Sequence, residues 1–316
     1  MDFVRKTLIF AALCAPLVPH GLSAQTPDVV VSLKPIHSLV AGVMGDAGKP
    51  RLLLKGTASP HTYQMRPSDA RALSEADLIV WVGEAMETFL HRAVENLGSR
   101  SRVVTLHEVP GIRLLRNREG GIWEDHGHEE PHVDEREGHG HEHREFDMHF
   151  WLDPGNAGRI VDEVAEALVL LDPARSATWR ANAAATRKRI ADLHASLQAR
   201  LAPVRGHAFV VFHDAYQYFE RAYGLNGTGA VAVDPARAPS AKRLVELRGA
   251  LAEHKVRCVF TEPQFEPDLV RTVIEGSDVR TAVLDPVGAD TTPGPDAWVE
   301  IMRGLGDAMA GCLGRS

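Results

Sequence analysis

The stretch DPARSATWRANAAATRKRIADLHASLQARL, residues 172–201, decides the architecture. Trp179, Ile190, Leu193, Leu197 and Leu201 recur at helical spacing, and Asp172-Pro173 supplies a cap and a first turn, so one helix is predicted from Pro173 to Leu201. That is long for a helix of a globular domain. Lying midway along the chain, it is expected to bridge two lobes instead of belonging to one. The expected division is a first lobe over 25–171, a linking helix over 172–202 and a second lobe over 203–316.

On both sides of this helix, short apolar runs alternate with helical stretches, the punctuation of α/β lobes with mainly parallel sheets. Before it, strands are expected at Val29–Leu33, Arg51–Leu54, Asp77–Val82 and Arg102–Thr105. Helices are expected at Ile36–Val43, Pro67–Glu75, Glu84–Leu97 and Pro154–Leu171. After it, strands are expected at Ala208–Phe212, Thr228–Val233, Arg257–Thr261 and Thr281–Leu284. The matching helices are Asp214–Tyr223, Ser240–His254, Asp268–Glu275 and Asp296–Cys312. An apolar share of 44% is ordinary for a globular protein, and a chain of 316 residues exceeds one average domain.

Arg5 and Lys6 precede the apolar run Leu8–Val18, and small residues follow up to Ala24, which is the layout of a secretory signal over residues 1–24. The run is too short to span a bilayer. Cleavage after Ala24 removes Cys14, which Leu13 precedes, so no lipid anchor is expected there. Of the 3 cysteines, Cys258 and Cys312 then remain in an oxidising compartment, and a disulfide between them is expected. The net charge of −7 is mildly acidic, and no basic patch interleaved with aromatics occurs, so nucleic acid is not an expected partner.

Residues 126–154, HGHEEPHVDEREGHGHEHREFDMHFWLDP, join two kinds of sequence. In the first part His126, His128, His132, His139, His141 and His143 stand among acids with almost no apolar residue, so a disordered loop over 124–146 is expected. Neutral imidazoles of this density suit zinc, and the loop is expected to contact metal as a secondary site. In the second part His149 is flanked by Phe150, Trp151 and Leu152, on backbone expected to be buried.

Further candidates lie at strand ends, where open α/β sheets bind ligands. His61 falls in the loop after Arg51–Leu54, His213 follows Ala208–Phe212, and Asp285 follows Thr281–Leu284. Three imidazoles and one carboxylate make a set that tetrahedral zinc accepts at about 2.0–2.2 Å. None of the four is a Met or Cys, as copper(I) would prefer. Asp285, standing before Pro286, can also be read as a turn residue, and Glu262 as cleft wall or as a carboxylate supporting a ligand from behind, not as a ligand itself.

Taken together, several runs resemble a known family. They are Ser59-Pro60-His61-Thr62-Tyr63 with Arg66-Pro67-Ser68-Asp69, Asp147-Met148-His149-Phe150-Trp151-Leu152-Asp153-Pro154, Phe212-His213-Asp214-Ala215-Tyr216-Gln217-Tyr218-Phe219, Cys258-Val259-Phe260-Thr261-Glu262-Pro263-Gln264 and Leu284-Asp285-Pro286. In order and over nearly the whole mature chain, they resemble the periplasmic zinc-binding proteins of ABC-type zinc uptake systems. The resemblance implies two α/β lobes joined by one long rigid helix, with Zn²⁺ held by His61, His149, His213 and Asp285. It further implies a monomer that delivers zinc to an ABC transporter membrane permease and is not an enzyme. Manganese members of the wider superfamily carry Glu where His213 stands, which favours zinc. Some zinc members carry a carboxylate before the first histidine, where this chain has Pro60, leaving Asp285 or water as fourth ligand. The rival readings are a manganese or iron receptor of the same fold, a secreted zinc hydrolase, and an extracellular adhesin. The hydrolase is disfavoured because no obvious general base accompanies the three strand-end and loop histidines.

Overall fold

The computed structural model describes residues 26–97, 100–118, 145–232 and 239–315. The expected signal over 1–24 and the histidines 126, 128, 132, 139, 141 and 143 lie outside the described residues. In chain order the first lobe carries β1 (Val29–Val31), α1 (Lys34–Met44), β2 (Arg51–Leu52), α2 (Pro67–Glu75), β3 (Leu78–Trp81), α3 (His91–Leu97) and β4 (Arg102–Thr105). Its sheet runs β2-β1-β3-β4, with every pairing parallel. A short antiparallel pair follows, β5 (Leu115–Arg116) with β6 (Phe146–Asp147), and then α4 (Pro154–Leu171) and α5 (Ser176–Leu201). The second lobe carries β7 (Ala208–His213), α6 (Gln217–Tyr223), β8 (Asn226–Ala232), α7 (Ala241–Glu253), β9 (Cys258–Thr261), α8 (Asp268–Ile274), β10 (Arg280–Val283) and α9 (Ala297–Leu313). Its sheet, again parallel, runs β10-β9-β7-β8.

The strand sequences explain the layering. β1 is Val-Val-Val and β3 is Leu-Ile-Val-Trp, buried throughout, as parallel strands covered on both faces must be. β10 stands at an edge and alternates half-buried with exposed residues.

α5 buries Trp179, Ala183, Thr186, Ile190, Leu193, Leu197 and Leu201, one narrow stripe along its 26 residues. Its two halves meet different partners. A Cβ on Gly42 of α1 would lie 2.7 Å from Thr186 Oγ1, so the amino half of α5 approaches α1 at backbone distance. A Cβ on Gly306 of α9 would collide with Leu197, so the carboxyl half does the same with α9. The main apolar core is accordingly continuous from one sheet to the other. Indole N–H groups add ties across it: Trp151 donates to the Pro286 carbonyl at 3.0 Å and Trp298 to the Trp151 carbonyl at 2.9 Å. The expected disulfide is present, joining Cys258 at the start of β9 to Cys312 in α9 with Cα atoms 6.3 Å apart. No helix among the described residues is long and apolar enough to cross a membrane.

Three local expectations are corrected. The helix expected over Glu84–Leu97 is present only from His91, because the buried Glu87 carboxylate accepts the N–H groups of Val82 and Gly83 and folds the preceding residues into turns. The long helix starts at Ser176 after a single 3-10 turn at Pro173–Arg175. The helix expected from Asp214 starts at Gln217, because Ala215 N–H turns back to the His213 carbonyl at 2.8 Å and Arg118 holds the Asp214 carboxylate.

Candidate metal centre

Each histidine is placed by a local device. His61 sits in the turn between β2 and α2, where its N–H reaches Ser59 Oγ at 3.3 Å. Downstream, the Asp69 carboxylate accepts from the Tyr63 hydroxyl at 2.7 Å and from Arg66 N–H at 2.8 Å. That cap, from the Asp69 side chain onto Arg66 N–H, fixes the start of α2 and the way the loop leaves it. His149 follows β6. Asp147 Oδ1 accepts both the His149 backbone N–H at 2.9 Å and the ring Nδ1–H at 2.8 Å. β6 is itself anchored by the second lobe, since the Tyr218 hydroxyl donates to the Asp147 carbonyl at 2.6 Å and accepts Leu115 N–H at 2.8 Å. His213 ends β7, and its Nδ1–H donates to Glu262 Oε1, at the end of neighbouring β9, at 2.7 Å.

The three rings converge. Their centroids are 5.6 Å (His61 to His149), 5.7 Å (His61 to His213) and 5.2 Å (His149 to His213) apart. One donor atom from each lies within 4.8 Å of the others, and the facing Nε2 atoms of His149 and His213 are 3.4 Å apart. Carboxylates on the Nδ1 side of two rings leave Nε2 of each as the lone-pair donor, the arrangement that orients imidazoles toward a metal. Asp285 is held apart from this group. Its carboxylate accepts Val287 N–H at 3.2 Å, Gly288 N–H at 2.8 Å, Ala289 N–H, and the Gln264 side-chain amide at 2.8 Å. The turn reading of Asp285 therefore describes its position, and the structure does not bring it to the three imidazoles.

One functional residue escaped sequence reading. Asp147 was not separated from the motif around His149, although a carboxylate two residues before a histidine can reach its ring when the chain bends. Glu262, expected as cleft wall or as support behind a ligand, accepts from His213 Nδ1–H, a pairing that depends on β7 and β9 being neighbours. A further tie is Arg118, whose guanidinium donates to Asp214 at 2.9 Å and to Glu220 at 2.6 Å, fastening the end of β5 beside His213.

The electrostatics of the rings differ. Burial, together with neighbouring His213, pushes the His149 pKa well below its ordinary value, so this ring is neutral and ready to bind. Burial also pulls His213 down, but the Glu262 carboxylate outweighs it and leaves the pKa raised. Burial lifts Asp147 to about 7. A metal must displace the proton that His213 keeps, so competition begins as pH falls through that raised value. Metal affinity is expected to drop about tenfold per pH unit below it, with one proton released per metal. Calorimetry in buffers of different ionisation enthalpy counts that proton, and an affinity that stays flat from about pH 7.5 to 5.5 would contradict the arrangement.

Two parallel-sheet lobes joined along one long helix, with two buried imidazoles and the half-buried His61 meeting between them, define a metal receptor of the solute-binding class. The family described as "Zinc-uptake complex component A periplasmic" matches residues 29–312. The high-affinity zinc uptake system protein ZnuA of Brucella suis is 39% identical over 100% of both chains. That of Paracoccus denitrificans is 40% identical over 97% of both. A crystal structure of ZnuA superposes with a TM-score of 0.74 at 25% identity, covering 91% of this chain and 99% of that one. The chain belongs to the zinc-uptake component A family.

Proposed function

We propose that this protein captures Zn²⁺ in the periplasm through His61, His149 and His213 and delivers it, as a monomer, to an ABC transporter membrane permease. The observation that carries the reading is the meeting of three imidazoles, the two buried ones held by carboxylates on the Nδ1 side. Three nitrogen donors without thiolate or thioether suit zinc better than manganese, which favours oxygen. The names of the relatives and the family point the same way. With Asp285 engaged by its own turn, water fills the fourth position. The nearest acids, Asp147 and Glu262, hold imidazoles instead of facing that position as a general base, which weighs against hydrolysis. Export through a cleaved segment at 1–24 fits a family described as periplasmic. In this reading, 172–202 links lobes at 25–171 and 203–316, and α5 packs on both α1 and α9.

His126, His128, His132, His139, His141 and His143 serve as weaker, secondary zinc ligands near the site. Ordering a polar segment around metal costs entropy that a preformed cleft does not pay. The ends of that segment are adjacent, because Asn117 N–H donates to the Glu145 carbonyl at 2.9 Å and β5 pairs with β6. Residues 119–144 can therefore be replaced by a short turn. The shortened protein is expected to keep its fold and one tight zinc equivalent while losing the weaker ones. Competition titration with zinc and manganese, backed by elemental analysis, tests the reading. Loss of the tight equivalent with the segment, or manganese displacing zinc at equal concentration, would overturn it.

A further inference from the structure

Lys34 opens α1 in the first lobe, yet its ammonium ends in the second, donating to the carbonyls of Gly288 and, at 2.9 Å, Ala289. The residue is 4% exposed, an expensive place for a cation unless its donors are satisfied. Burial lowers its pKa, against which the Asp285 and Asp290 carboxylates act.

The peptide unit joining Gly288 to Ala289 faces two ways. Its carbonyl accepts from Lys34 and its N–H donates to Asp285. Lys34 and Asp285 thus grip one peptide from opposite sides, and the ammonium polarises the N–H that the carboxylate receives. Gly288, at φ +71°, gives the turn its shape, and a Cβ there would collide with Ile301. Asp285 follows β10, one strand over from the β9 end that delivers Glu262, and Gln264 of that same β9 end holds one of its oxygens. A carboxylate on the same sheet edge as Glu262 is therefore kept on its own backbone by an ammonium from the other lobe.

We propose that Lys34 is a specificity-determining positioning residue: by pinning the turn after Asp285, it withholds a carboxylate oxygen from the three-imidazole site and so disfavours oxygen-preferring cations such as Mn²⁺. The inference rests on the zinc-receptor reading above. A site of three imidazoles gives manganese little beyond its weak intrinsic affinity, whereas one added anionic oxygen suits it.

The test uses the full chain carrying Lys34→Met, which keeps the length of the side chain and removes the ammonium. Manganese binding is read from the paramagnetic resonance signal of free Mn²⁺, and zinc binding by competition with a chromophoric chelator. Manganese affinity is expected to rise roughly tenfold in Lys34→Met, while zinc affinity shifts by less than about threefold. The gain should vanish in Lys34→Met/Asp285→Asn, which distinguishes a route through Asp285 from general loosening. Unchanged manganese affinity in folded Lys34→Met, or a gain that survives in the double variant, would overturn the proposal. Should Lys34→Met not fold, Gln264→Leu releases one Asp285 oxygen without touching the lysine. It is expected to raise manganese affinity about threefold, and no rise would count equally against the proposal. A parent protein that binds no zinc overturns the receptor reading itself, an outcome separate from either variant result.

Discussion

His213→Ala is expected to weaken zinc binding by more than about a hundredfold in protein lacking residues 119–144. Altering a group that merely orients a metal-bound imidazole costs 10–100-fold, and removing the imidazole itself must exceed that. The arrangement compounds the loss. His213 carries one of the donor nitrogens, and its ring is the partner of Glu262, a carboxylate 4% exposed, which would be left buried without its imidazole. Glu262→Gln separates the two contributions: the ring keeps a neutral hydrogen-bond partner, and a loss of about tenfold is expected. Competition against a chromophoric chelator measures both variants. Binding by His213→Ala within about threefold of the parent would show that the tight site lies elsewhere.

Much of this site was legible because its donors stand where the chain announces itself. Pro67 and Asp69 mark the start of α2, Asp153-Pro154 the start of α4, and these helices occupy Pro67–Glu75 and Pro154–Leu171, the expected limits. His213 lies at the end of a wholly buried apolar strand, a position readable from hydrophobicity alone. What resisted reading depends on partners distant in sequence. The turns before α3 form around a buried Glu87, and the late start of α6 accompanies the tie between Arg118 and Asp214. β5 and β6 have two residues each, too few for any periodicity to register, and the second lobe's Tyr218 holds them. Asp285 is the instructive case. Its place at a strand end was correctly inferred, but the direction of its carboxylate is set by three backbone N–H groups of the turn that follows. Sequence position says which edge a side chain reaches, and local backbone geometry then decides whether a metal or the chain itself receives it.

Replacing the Cys258–Cys312 pair by alanine is expected to lower the stability of the metal-free protein by about 4 kcal/mol. The cysteines are 54 residues apart in sequence, and in the chain-entropy account opening a loop of that size restores considerable freedom to the unfolded state. Alanine is preferred to serine, since Cys258 is fully buried and a hydroxyl there would need a partner. The bridge fastens the start of β9, whose other end delivers Glu262 to His213, onto α9, which packs on α5. It therefore supports the metal centre from a distance without touching it. Zinc affinity of the folded variant is expected to stay within about threefold of the parent, because the hydrogen bonds that orient the imidazoles are untouched. Denaturant unfolding must be followed without metal, since zinc at a hundred times its dissociation constant restores about 2.7 kcal/mol by mass action and would mask most of the loss. A loss below about 1 kcal/mol would mean that the unfolded chain already keeps this segment restrained, so that the covalent link removes little freedom from it.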